Sequence, residues 1–158
     1  MITTRPATPE DVPAVLPMVR QICELHRQWD PARYTPAGDP ADRYEGWLRQ
    51  RAIDPRSVFH VAQQSNRLVG FIVGTLEKEI PVYSLKEYGF IHDLWIEPDV
   101  RGQGAGSQLA QAAIDAFARI GVKQIRLDTA SANDAARKLF ARYGFRPSTI
   151  QMLREMGT

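Results

Sequence analysis

The sequence predicts an α/β or α+β fold on a sheet of six or seven strands. Three observations carry this. Runs with apolar residues at helical spacing alternate with short branched or alternating runs, in the order β-α-α-β-β-β-α-β-α-β. A chain of 158 residues is expected to form one domain, 1–158, and can bury about two-thirds of its unfolded surface. A composition 44% hydrophobic and 24% charged is that of an ordinary globular protein.

The elements follow in order. Ile2 to Arg5 suits a short strand. Thr8-Pro9-Glu10-Asp11 is a helix start, with Thr8 as N-cap, proline at the first helical position and acids in the first turn. Val12, Val15, Leu16, Val19, Ile22, Cys23 and His26 then form one helical stripe, in which Pro17 is expected to introduce a kink. Trp29 to Pro40 holds three prolines and a glycine and is expected to be a loop. A short helix follows around Ala41 to Ile53. Val58 to Gln63 and Leu68 to Glu77 are strands joined by the hairpin signal Gln64-Ser65-Asn66-Arg67. A polar excursion, Lys78 to Gly89, leads to the aromatic and branched strand Phe90 to Ile96. Leu109, Ala112, Ala113, Ala116, Phe117 and Ile120 match the helical template at every position, and Gly121 stops that helix. Gln124 to Asp128 alternates as a strand. Asn133 to Tyr143 returns to helical spacing, and Phe145 to Met156 is expected to supply one or two closing strands.

Charge and composition exclude several classes. Twenty Lys and Arg against eighteen Asp and Glu leave +2, with a pI near 8.8. That is too dilute a charge to form a nucleic-acid footprint. The longest charge-free stretch, Gly102 to Ile114, falls short of the ~18–20 apolar residues of a membrane span. Met1 to Asp11 lacks the apolar run of a signal peptide, so a cytoplasmic location is expected. A single cysteine, Cys23, excludes an intramolecular disulfide and a multi-cysteine zinc site, and His26, His60 and His92 are scattered singly. No metal is expected.

The chemistry concentrates between the Phe90–Ile96 strand and the regular helix. There Arg101-Gly102-Gln103-Gly104-Ala105-Gly106-Ser107 places three alternating glycines before a helix N-terminus. Glycines let backbone N–H groups converge on a ligand, the helix adds unpaired first-turn donors, and Arg101 adds a full charge. The arrangement suits a pyrophosphate, against the plainer reading of a glycine-rich turn. A Walker A loop would end in Lys-Ser/Thr, which is absent. A dinucleotide fingerprint would need glycine or alanine where Ser107 stands, although Asp128 lies at about the spacing that fingerprint wants for its acid.

Arg101-x-x-Gly104-x-Gly106, followed by Asn133-x-x-Ala136-x-x-Leu139-Phe140-x-x-x-Gly144-Phe145, resembles the GNAT N-acetyltransferase superfamily. The resemblance is sharp over residues 90–145 and looser over 1–89. It implies a mostly antiparallel sheet flanked by about four helices, with the fourth and fifth strands splayed to admit acetyl-CoA. It implies that the backbone of Leu94, Trp95 and Ile96 pairs with the pantetheine amides, and that residues Arg101 through Ser107 (Gly102, Gln103, Gly104, Ala105 and Gly106 between them) wrap the diphosphate. Asn133 would reach the pantetheine or serve as a helix N-cap, and Phe140 would lie beside the cofactor.

The implied reaction is direct acyl transfer to a primary amine of a small molecule or peptide. Holding a lysine-like amine neutral at pH 7 costs roughly 4.6 kcal/mol, so a base is needed. His92 is the leading candidate, with Asp93 or Glu97 acting through water as the alternative; a bulge would decide whether His92 or Asp93 faces the cleft. The N–H of Leu94 is the family's usual donor to the developing oxyanion. The family's frequent acid, a tyrosine, is replaced here by Phe140; Tyr143, Ser131 or water would then supply the proton. The acceptor region, 25–55 and 77–90, brings acids such as Glu77 and Glu79 among basic residues, and Trp29, Tyr34, Trp47, Tyr83 and Tyr88 as an aromatic wall or as packing. A non-catalytic acyl-CoA-binding module is the second reading, and a protein-interaction domain the third. Dimers are common in the family, so a homodimer is an expectation, with no segment marking its interface.

Overall fold

The computed structural model describes residues 1–157. Its elements are β1 (Ile2–Pro6), α1 (Val12–Trp29), α2 (Pro31–Tyr34), α3 (Pro40–Ile53), β2 (Val58–Gln64), β3 (Arg67–Lys78), β4 (Glu87–Ile96), α4 (Ala105–Ile120), β5 (Ile125–Leu127) and α5 (Asp134–Ala141). The strands lie in chain order, antiparallel from β1 to β4 and parallel between β4 and β5. Helix α4 makes the crossover that a parallel pair requires.

Strand alternation sorts the core into two layers. Val58, Ala62, Ile72 and Ile91 face α4 and α5, packing on Leu109, Ala110, Ala113, Phe117 and Phe140. Phe59, Val61, Phe71, Val73 and Trp95 face the other way, onto Val12, Val15 and Val19 of α1 and Leu48 of α3. Two glycines let Phe117 pack closely on the sheet. A Cβ at Gly89 would stand 2.7 Å from its ring, and one at Gly74 2.8 Å from it. Gly89→Ala is therefore expected to cost about 1–3 kcal/mol by overpacking, read as a lower urea midpoint. An unchanged midpoint would contradict this packing.

Several expectations are corrected. Among the described residues the sheet has five strands rather than six or seven, and there are five helices rather than about four. The missing strands were expected in Phe145 to Met156, but residues 145–157 hold no secondary structure. Alternation in the sequence suits a strand, yet a strand exists only where a neighbour supplies the ladder. The extra helix is α2, inside the expected Trp29–Pro40 loop. Asp30 starts it by accepting the Arg33 N–H, and Pro31 occupies the first turn. The start expected at Thr8 is found there, with Thr8 as N-cap, Pro9 first and two acids in the turn, but that first turn, Pro9–Asp11, is 3-10 and α1 follows from Val12; Asp11 accepts the Thr8 N–H at 2.8 Å and two bonds from Arg5. Pro17 lies inside α1, in the helical stripe where it was expected, and is exposed.

The fold opens where the splayed pair was expected. The β4–β5 ladder covers only Gly89, Phe90 and Ile91 against Ile125, Arg126 and Leu127. Beyond Ile91, β4 runs on to Ile96 with β3 on one side and, among the described residues, no strand on the other. No helix among the described residues is long and apolar enough to cross a membrane.

Candidate active site

The glycine loop follows β4 directly. Gly102 and Gly104 have φ of +77° and +89°, values an L side chain rarely adopts, and a Cβ at either would meet nothing within 4 Å. Gly104 is the N-cap of α4. Among the described residues, no backbone or side-chain acceptor takes the N–H of Gly102, Gln103, Gly104, Ala105, Gly106 or Ser107. Six consecutive donors without acceptors thus stand at the positive end of a 16-residue helix, a place suited to an anion.

Around the loop, polar groups brace the backbone. Arg101 stacks 4.7 Å over the ring of buried Trp95 and donates from Nε to the Ile96 carbonyl at 3.0 Å, clamping the end of β4. Asn133 accepts the Ala136 N–H at 3.1 Å and so serves as the N-cap of α5. Phe140 is buried, edge-on to Phe145, and carries no hydroxyl toward the opening. Tyr143 donates its hydroxyl to the Ser107 carbonyl at 2.9 Å, tying α5 to α4.

The second half of the site is made by a bulge. Gly74 pairs with Ile91 and Val73 with Asp93, so His92 is the extra residue in β4. Ile91 and Leu94 pack toward α4, but His92 and Asp93 both turn to the α3 side. Strict alternation would have separated them. The family resemblance raised a bulge here as a choice between His92 and Asp93, and the structure turns both to the same side; register between strands is not written in either strand alone.

His92 sits edge-on to Trp47 and Phe90, with 29% of its side chain accessible. Its Nε2 lies 2.7 Å from the Thr75 hydroxyl, which donates to Glu77 Oε1 at 2.8 Å. An ionised carboxylate only accepts, so the single hydroxyl proton goes to Glu77 and Nε2 must donate to Thr75. The lone pair is left on Nδ1. Burial holds the His92 pKa below its ordinary value; Glu77 opposes that shift and Arg51 adds to it. Asp93, beside it, accepts the Tyr44 hydroxyl at 3.0 Å. Burial pushes its pKa up to about 6, against the Tyr44 hydrogen bond. Cys23 is half-buried nearby, its thiol pushed up by burial and by Asp93.

Most acids of the acceptor region are taken. Glu24, Asp39, Glu45, Glu79 and Glu87 pair with Arg27, Arg20, Arg49, Arg126 and Arg56. Glu77 has no arginine or lysine partner among the described residues, and its Oε1 lies 3.7 Å from His92 Nε2. Glu97 accepts from Gln21 at 3.2 Å, beside α1. The aromatic wall divides: Trp29 and Tyr34 pack on His26, Tyr88 lies under Arg126, Tyr83 is exposed, and only Trp47 reaches His92. Two useful partners were missed by sequence reasoning. Thr75 and Tyr44 lie far from His92 and Asp93 in the chain, and only the strand register and the docking of α3 bring them in.

A known family profile, acetyltransferase (GNAT), matches residues 19–145. The chain belongs to the GNAT acetyltransferase family. The uncharacterised N-acetyltransferase YhfO of Bacillus subtilis (strain 168) is 30% identical over 145 residues, 92% of this chain and 90% of YhfO. Among solved structures, a mutant of the BH1408 protein of Bacillus halodurans superposes with a TM-score of 0.84 at 21% identity, covering 98% of this chain and 99% of that one. A predicted acetyltransferase of Clostridium acetobutylicum, solved with acetyl-CoA, gives 0.76 at 17% identity, covering 98% and 96%. These likenesses fix the fold. For this GNAT chain, the six free N–H groups and the strand-free edge of β4, whose Ile96 carbonyl Arg101 already holds, fit the diphosphate and amide chain of a coenzyme A thioester. Among the described residues no group of three or more His, Cys, Asp and Glu gathers to hold a metal.

Proposed function

We propose that the chain is an acetyl-CoA-dependent N-acetyltransferase acting on a primary amine that is cationic in solution, on a small molecule or peptide. The observation that carries this reading is the His92 bulge: it sets a neutral imidazole and two carboxylates without arginine partners, Glu77 and Asp93, beside the open edge of β4.

Bound acetyl-CoA would supply an acyl carbon activated as a thioester. The chain supplies the rest. The N–H groups from Gly102 to Ser107 hold the diphosphate, and the edge of Leu94, Trp95 and Ile96 orients the amide chain. Glu77 and Asp93 attract the ammonium form of the acceptor. His92 Nδ1 takes the proton that the amine must lose, while Nε2–H stays on Thr75 and the positive ring that forms is stabilised by Glu77. The Leu94 N–H is the donor this reading assigns to the developing oxyanion. Tyr143 is spent on Ser107 and serves as a brace, so the leaving thiol, of pKa ~8.5, departs with a proton from water or as thiolate, a cost of only about 2 kcal/mol at pH 7.

The absence of a tyrosine at Phe140, with Tyr143 committed elsewhere, supports a second reading, an acyl-CoA-binding module without turnover. A panel of diamines, aminoglycosides, amino acids and peptides with acetyl-CoA separates the two, read as free thiol released. Release with cationic primary amines is expected. Stabilisation by acetyl-CoA without release on any amine would leave the second reading standing.

A further inference from the structure

Three buried side-chain polar atoms have no hydrogen-bond partner among the described residues: Arg51 Nε, His60 Nδ1 and Trp95 Nε1. Native proteins keep few such atoms, because each forfeits the hydrogen bonds it would make in water. Arg51 and His60 line the same cleft. It measures about 450 Å³ and lies where α3 and α4 end beside β1 and β2. That size suits a small organic molecule.

The cleft is separate from the acyl opening. His60 shares a face of β2 with Val58 and Ala62 and turns toward α4, whereas His92 turns to the α3 side, and β3 lies between their strands. The charges around it are unevenly committed. Arg56 pairs with Glu87 at 2.8 Å. Asp54 is tied into the turn after α3, accepting the Arg56 N–H and the Ser57 hydroxyl. Arg51 comes no closer to Asp54 than 3.9 Å, and Arg119, exposed in the last turn of α4, has no acidic partner among the described residues. Arginines also answer the negative ends of α3 and α4, but that attraction leaves Arg51 Nε and the His60 ring unpartnered. Burial holds the His60 pKa below its ordinary value and Arg119 adds to this, so the ring is neutral with one N–H. A bare lone pair is the cheaper orphan at the buried Nδ1, which puts that N–H on Nε2, the nitrogen left open to the cleft.

We propose that this cleft binds the phosphate or carboxylate group of a small organic anion, held by Arg51, Arg119 and His60. Two guanidinium forks match the paired oxygens of either group, and the imidazole N–H adds a neutral donor. Pro55, Ala116 and Ile120 line the same cleft and would cover the apolar body of the molecule. The proposal is independent of acetyl transfer.

Phenyl phosphate, benzoate and inorganic phosphate, each titrated into the full chain and followed by NMR at the His60 ring, test it. A saturable shift is expected with at least one of the two organic anions, which also tells phosphate from carboxylate. Inorganic phosphate, lacking the apolar body, should bind more weakly. With the anion bound, the His60 ring should titrate at higher pH, since negative charge then offsets Arg119. Arg119→Gln should weaken binding about tenfold, in a folded protein because the side chain is exposed. Lys123→Gln makes the same charge change at an exposed residue outside the cleft and should leave affinity nearly unchanged. Gly104→Val, at the other end of α4, should leave the His60 shifts intact, which separates this site from the glycine loop. No saturable shift at His60 with any of the three probes overturns the proposal. So does equal weakening by Arg119→Gln and Lys123→Gln, or loss of the shifts in Gly104→Val.

Discussion

Gly104→Val is expected to abolish acetyl-CoA binding, at least a hundredfold by calorimetry, in a protein that still folds. The position takes φ +89° at the N-cap of α4, and a Cβ there enters open space, the space the proposed diphosphate needs. The backbone cost of an L residue in the left-handed region is about 1–2 kcal/mol, more for a branched one. That is within the 5–15 kcal/mol that typically holds a domain together. The other end of the same helix supplies the control. Gly121 takes φ +96°, and it too has nothing within 4 Å of a built Cβ. Gly121→Val should lower the melting temperature by a similar amount and leave acetyl-CoA affinity as it was. If both variants bind alike, the slot between Gly102 and Ser107 is not where coenzyme A sits.

The contrast between those two glycines is also the contrast between what the sequence discloses and what it withholds. Local chemistry is legible. The stripe Leu109 to Ile120 predicts α4 because helical spacing alone gathers its apolar side chains, and the glycines before it predict the donor cradle because their freedom is intrinsic. What depends on register is hidden. His92 and Asp93 share a face only because β3 skips a residue of β4. Tyr143, one turn beyond Phe140, has the position of a proton donor on paper, yet its hydroxyl is used by Ser107, 36 residues earlier in the chain. Acidic residues in the acceptor region look like a mixed surface until five of them are seen to pair with arginines, and Glu77 is distinguished by the strand register that sets it beside Thr75 and His92. The closing strands are the extreme case, a pattern present in the sequence for which nothing among the described residues supplies a ladder.

His92→Ala should lower kcat/KM by about a hundred- to a thousandfold at pH 7, the range ordinary for a positioned base. The pH profile tells whether the loss is of a base or of a packed ring. Activity that needs neutral His92 falls as pH drops through its pKa, which burial holds below the usual 6.5, and this acid limb should be missing in the variant. At the other end, a lysine-like amine of pKa ~10.4 sheds its own proton as pH rises, so the gap between the two enzymes should narrow above pH 8. Asp93, titrating at about 6, would produce a similar limb, so Asp93→Asn must be measured alongside. With His92 as base, that variant keeps the limb. Glu77→Gln removes the carboxylate that raises the histidine's pKa and should move the limb toward lower pH, with a higher KM for a cationic amine. A merely structural His92 would give a constant ratio at every pH, and a limb that vanishes in Asp93→Asn would transfer the role to the carboxylate.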